Sequence, residues 1–382
     1  MAQRRLLLVL ALIGGVASWT GTGGASVGCP FCSEERGPTL VGDFTQASMV
    51  LLGTFTKPKL GDGGLGEGTS VFEIEKVLKS NAIVEGKKAI TLPRYVNQPK
   101  TKFLIFCDVF KDNIDPYRGV VVESDSELVR YLQGAVKLKD SPAPERLRYC
   151  FDFLNSAEID VALDAYREFA KADYKEYMGI ARKLPPETIA GWLKDPKTPP
   201  YRYGLYASLL GHCGKPEHAQ LLRSMIDDPQ KRSGSGLDGL LAGYVMIQPT
   251  EGWAYVKDML KDVKQEFLVR YSALRTVRFL WDQRPDLIAK KELVSALLLL
   301  LPHNDMADFA IEDLRKWKCW DETDKILPLF KAKSHDIPVV RRAILRFALQ
   351  SQNPAAVAFV QAQRQRDPQW VQETEELLKL EP

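Results

Sequence analysis

The segment KLKDSPAPE, residues 137–145, separates two hydrophobic periods in this chain. Before it, apolar residues come in short runs and alternations, as strands require. After it they recur every three to four residues, as helices require. Pro142 and Pro144 mark the expected linker. The fold class read from this change is α+β and multidomain: a small N-terminal β-barrel, then an all-α helical repeat.

On the N-terminal side, SMVLLGTF (48–55), SVFEIEKVLK (70–79), KAITLPR (88–94), KFLIFCDV (102–109) and GVVVES (119–124) read as five strands. Phe72 and Ile74 share one face, with Glu73 and Glu75 opposite, whereas KFLIFCDV is apolar on both faces. Five strands in so short a stretch suit a small barrel. SDSELVRYLQGA (124–135) reads as its closing helix, capped by Ser124 or Ser126.

On the C-terminal side, stripes such as Leu268, Tyr271, Leu274, Val277 and Trp281 predict helices. Asn353 and Asp367 are placed as N-caps, with Pro354 and Pro368 as first helical residues. A charged residue, any residue, a small residue and an apolar one recur from Asp160, Arg202, Arg270, Asp308 and Arg341, spaced by 42, 68, 38 and 33 residues. The interval of 68 has room for two units, although GLDGLLAGYVM (236–246) matches the pattern poorly. Units of this kind share one core by stacking.

Residues 1–28 read as an export signal, with Arg4 and Arg5 before an apolar run over 6–16. That run and LVSALLLLLP (293–302) are both too short to span a bilayer. The expected organisation is 1–28 signal peptide, 29–140 barrel with closing helix and 141–382 helical repeat, in a periplasmic or extracellular protein. The formal charge of +3 comes from interspersed charges without a basic stripe, which argues against nucleic acid as a partner.

FLVRYSALRTVRFL (267–280) and IPVVRRAILRFAL (337–349) resemble the second helix of HEAT repeats, which implies an α-solenoid from about residue 145 to 380. CPFC (29–32), SMVLLGTF and VFEIEKVLK resemble netrin-like domains, which are OB-type barrels with an N-terminal cysteine cluster. The whole layout is similar to a family of exported bacterial proteins that begin with CPFC. They continue with blocks like YGLYASLLGHCG (203–214), GLDGLLAGY (236–244) and RFLW (278–281). That last resemblance implies architecture and no chemistry.

Cys29 and Cys32 admit several readings. A redox pair needs a preceding strand and a following α/β pattern, which are lacking. Zinc needs a second ligand pair, and haem needs His where Ser33 stands. A lipid anchor at Cys29 needs a better box than Ser26-Val27-Gly28. The favoured reading is a staple from Cys29 or Cys32 to Cys107, worth roughly 4 kcal/mol for so long a loop; sequence leaves the pairing open.

GDGGLG (61–66) matches a dinucleotide motif, but a strand follows it where a helix is required. His212, Cys213 and His218 form the best metal-like grouping, though Gly211, Gly214 and Pro216 there more simply end one helix and start another. No catalytic set and no cofactor motif stands out. Tyr203 and Tyr206, Trp317 and Trp320, with Arg270 and Arg341, are the candidates for a binding surface. The expected function is an exported, non-catalytic binding or scaffold protein that holds a protein or peptide on its helical surface. The alternatives are a thiol–disulfide protein using Cys29 and Cys32, and a netrin-like protease inhibitor requiring a free amine on Cys29.

Overall fold

The computed structural model describes residues 29–32, 37–61, 67–232 and 235–381. The expected leader and residues 62–66 of the glycine-rich loop lie outside the described residues.

The fold is α+β. Strands β1 (Met49–Leu60), β2 (Gly68–Lys79), β3 (Ala89–Leu92), β4 (Lys102–Phe110) and β5 (Asn113–Val122) form one antiparallel sheet in the order β3-β2-β1-β4-β5. The doubly apolar character of β1 and β4 has a direct cause. Met49, Leu51, Ile105 and Cys107 point into a small core with Phe55 and Phe72. Val50, Leu52, Leu104 and Phe106 point the other way, into the core shared with the helices. β4 turns into β5 through Lys111 and Asp112, whose φ values of 47° and 62° are those of a type I′ hairpin.

Helices account for the rest. α1 (Leu40–Gln46) precedes the sheet, and α2 (Leu128–Lys137), the expected closing helix, follows it; Ser126 Oγ accepts the Leu128 N–H at 3.1 Å. Then come α3 (Ala143–Phe151), α4 (Ile159–Lys171), α5 (Tyr174–Ala181), α6 (Pro186–Lys194), α7 (Tyr203–Cys213) and α8 (Pro216–Asp227). They are followed by α9 (Pro229–Arg232), α10 (Leu237–Ile247), α11 (Pro249–Lys261), α12 (Phe267–Gln283), α13 (Lys290–Leu298) and α14 (Ala307–Lys316). α15 (Thr323–Ile326), α16 (Pro338–Gln350), α17 (Pro354–Arg366) and α18 (Pro368–Lys379) complete the chain. Asn353 and Asp367 cap α17 and α18, accepting from Ala355 N at 2.9 Å and Trp370 N at 3.0 Å.

At the expected linker, Pro142 and Pro144 stand at the N-cap and in the first turn of α3. The apolar core continues across them, with Tyr149 of α3 donating its hydroxyl to Tyr131 O of α2 at 3.0 Å.

Helix α1 had no counterpart among the expectations. At its start, the buried carboxylate of Asp164 in α4 accepts from Leu40 N and from Tyr131 Oη, the latter at 2.9 Å. At its end, Lys79 of β2 donates to Phe44 O at 3.0 Å and Thr45 O at 2.9 Å. Arg118 of β5 pairs with Asp43. Seven residues thus bolt the sheet to α4.

Polar cross-links between helices, or between a helix and a turn, recur at a near-constant separation. Tyr166 Oη to Tyr201 O (3.2 Å), Arg270 Nη1 to Asp305 (3.2 Å), Arg278 Nε to Asp313 (2.7 Å) and Arg315 Nη1 to Gln350 (2.7 Å) each span 35 residues. Tyr174 to His212 and Thr276 to Asp238 each span 38. The 68-residue gap in the sequence pattern is filled by α10, which packs on both α7 and α12.

The α7–α10 contact is backbone against backbone. A Cβ built on Gly239 would lie 2.4 Å from both Cα and O of Gly204, and one on Gly243 would lie 2.4 Å from Ala207 O. Neither neighbour is a flexible side-chain end, so the helices must separate to admit a methyl group. Gly239→Ala is therefore expected to lower unfolding free energy by about 1–3 kcal/mol. Urea unfolding checks this; an unchanged midpoint would show that the close approach is dispensable.

Candidate functional site

The CPFC turn does not touch the sheet cysteine. Cys29 and Cys32 are bonded to each other, and Cys107 is a free thiol inside the sheet core, where burial pushes it up to about 12. The expected staple to Cys107 is corrected accordingly. The enclosed loop is four residues instead of about seventy-five, and the corresponding entropic contribution drops to about 2 kcal/mol.

The turn is seated on the helices. Arg275 of α12 donates to Pro30 O at 3.1 Å and pairs with Asp238 of α10 at 2.8 Å. Phe31 packs on Phe279 with ring centroids 4.7 Å apart. Gly204 at the start of α7 lies under the Phe31 backbone, where a Cβ would come 3.1 Å from Phe31 O. Gly236, with φ 97°, closes the same corner. The blocks YGLYASLLGHCG, GLDGLLAGY and RFLW, distant in sequence, thus meet around CPFC.

Both cysteines have no exposed surface. Disulfide exchange requires access to a sulfur, which this seat denies, so the geometry gives the redox reading no support. The Cys29 sulfur is used in the disulfide, which leaves no thiol there for a lipid.

Beneath the turn lies a polar cluster. Tyr174 Oη meets His212 Nε2 at 2.8 Å, and Tyr177 Oη meets Ser208 Oγ at 2.7 Å. Burial, assisted by Arg284 and Arg182, pulls the His212 imidazole down to about 3. Burial likewise pushes the Tyr174 and Tyr177 hydroxyls up. Each group is held neutral, which suits packing and not proton transfer near neutral pH.

The expected metal grouping does not assemble: His212, Cys213 and His218 do not converge. Among the described residues, His218 instead gathers with Glu187 and Glu217. His218 Nδ1 accepts the Lys215 N–H at 2.9 Å, so the neutral ring carries its proton on Nε2, which faces Glu187 at 3.2 Å. That nitrogen has no lone pair left for a cation, and the ring serves as a cap for α8.

Most of the expected binding surface is interior. Tyr203 and Tyr206 are buried, and Tyr206 donates to Leu154 O at 2.7 Å. Arg270 is buried in its ion pair with Asp305. Trp317 and Trp320 do not share a helix face, because α14 ends at Lys316 and Lys318 adopts φ 57°. Trp317 stacks on Trp281 at 3.9 Å and 4°, while Trp320 meets Phe347 at 5.1 Å. In each case the pattern marked an apolar or charged position correctly, and the position is covered by another part of the same chain.

Arg341 is the exception. It lines a groove of about 800 Å³ between the short 3₁₀ segment Leu327–Lys331, α16 and α17. Leu327, Phe330, Ala355 and Phe359 form its apolar surface; Lys331, Arg341 and Arg366 are the cations around it. Phe330 and Phe359 meet edge to face at 4.9 Å, and the Arg341 guanidinium lies 4.4 Å above the Phe330 ring while Nη1 pairs with Asp336 at 2.6 Å. Sequence reasoning missed Phe330, Phe359 and Arg366, because nothing local indicates which helix faces stay uncovered. The chain matches no family model, no curated protein and no solved structure.

Alkylation of the unfolded, unreduced protein is expected to label the four thiols of Cys107, Cys150, Cys213 and Cys319. Peptide mapping should then place the bridge within one peptide containing Cys29 and Cys32; a peptide joined to Cys107 would refute the seat. His212 gives a second expectation. Its pKa is about 3 when folded, against an ordinary 6.5. Above 6.5 the ring is neutral in both states; below it the unfolded chain binds the extra proton, so stability falls as pH drops through that window. Replacing His212 with Gln should shrink the stability difference between neutral pH and about pH 4. An unaltered difference in denaturant titrations would contradict the burial of this ring.

Proposed function

We propose that the protein is an exported, non-catalytic binding module that holds a protein or peptide partner at the C-terminal end of its helical region. The observation that carries this is the groove with Phe330 and Phe359 at its base and Arg341 at its edge. An open concavity of this size, apolar inside and charged at the rim, suits a protruding segment of another chain. The buried Cys29–Cys32 disulfide supports an oxidising compartment, consistent with the expected leader.

The finer architecture belongs to the same reading. The strand order, with Arg94 just past β3 donating to Pro116 O of β5 at 3.0 Å, supports an OB-type barrel closing between β3 and β5. The 35-residue cross-links support a HEAT-like stack in which each helix pair leans on the next, though the period is shorter than the usual HEAT unit.

The test is site-specific photocrosslinking from the groove in the producing cells. A photoreactive residue at Ala362, which lines the groove, should give a discrete adduct with one protein, and Phe359→Ala should abolish it. The same probe at exposed Lys87 on the sheet side should not. Identical adducts from both positions, or none from Ala362, would count against this reading.

A further inference from the structure

The groove's chemistry can be taken one step further, resting on the reading of it as a binding surface. We propose that its occupant is an acidic amphipathic peptide segment of a separate partner protein, anchored by an aromatic or branched aliphatic side chain.

Charge selects the sign. Among the described residues lining the groove, Lys331, Arg341 and Arg366 face a single acid, Asp324. Lys331 and Arg366 are exposed, and neither is in an ion pair among the described residues. Arg341 is different: it is clamped by Asp336 and fixed above Phe330. Two unpaired rim cations and one preset guanidinium favour carboxylates at the edge of the site. The whole chain carries nearly balanced charge, 52 basic against 49 acidic residues, so this local excess is a property of the groove.

The apolar surface selects the anchor. Phe359 and Phe330 meet edge to face, and Arg341 covers one face of the Phe330 ring. This disfavours the broad stacking platform on which nucleobases bind, while leaving an apolar concavity for a compact side chain. Leu327, Ala355 and Ala362 widen the site without filling it. Apolar anchors flanked by acids at helical spacing would satisfy both halves of the site.

The experiment uses the full mature protein and fluorescein-labelled peptides in which Leu and Phe recur at helical spacing, with Glu, Gln or Lys between them. The Glu peptide is expected to bind, and to weaken as salt rises from about 0.05 to about 0.5 M. Phe359→Ala, and separately Arg366→Glu, should each weaken it about tenfold. The circular dichroism melt reports that each variant is folded. Arg366→Glu changes an exposed residue and keeps the test valid should the phenylalanine variant unfold. If the Gln or Lys peptide binds as well as the Glu peptide, the acidic assignment fails while the groove reading stands. If no peptide binds, both fail. An oligonucleotide that displaces the peptide would overturn the proposal. So would concentration-dependent self-association abolished by Phe359→Ala, because it would give the groove to a second copy of the chain.

Discussion

The close approach of α7 and α10 is the constraint on which the middle of the molecule depends. With no side chain at Gly204 or Gly239, two helix backbones touch, and the corner they make is shallow enough to accept another piece of backbone. The CPFC turn occupies that corner. It is held by a hydrogen bond from Arg275 and by one aromatic contact, and its own disulfide limits the shapes it can take. Glycines that look like a repeat feature thus also create a binding site, already filled from within the same chain.

A second short segment joins the helices to the sheet. Residues 37–46 run past α4, take the Asp164 carboxylate at the head of α1, and leave their last carbonyls to Lys79. Asp164 is costly to bury: desolvation lifts its carboxyl to about 6 against the hydrogen bonds from Leu40 and Tyr131. A charge in this position is tolerable only because both donors are fixed by their own elements. Sheet and helices are therefore joined by side-chain chemistry as well as by the chain passing through 137–145.

Much of this was legible in the residues. The change of period at 137–145, the caps at Asn353 and Asp367, and room for a further helix between Arg202 and Arg270 all follow from local spacing. Which neighbour covers a face does not. Tyr203, Tyr206 and Arg270 carry the residue types of a binding surface, yet all three are buried, Tyr206 on Leu154 O and Arg270 on Asp305. The seat of CPFC is the extreme case, since Pro30 and Arg275 are 245 residues apart and no periodicity links them. The groove was partly readable through Arg341 alone. Its aromatic floor depends on how residues 327–331 pack against α16 and α17, which local spacing does not encode.

The distance between the turn and its seat also bears on the order of events during synthesis. Cys29 and Cys32 need only a local bend to bond, so the turn can close soon after it is made. Gly239, Arg275 and Phe279 emerge more than two hundred residues later. The leading segment therefore has to wait, preformed and unplaced, until α12 is complete. Its docking is a late event that reports that most of the polypeptide is already in position.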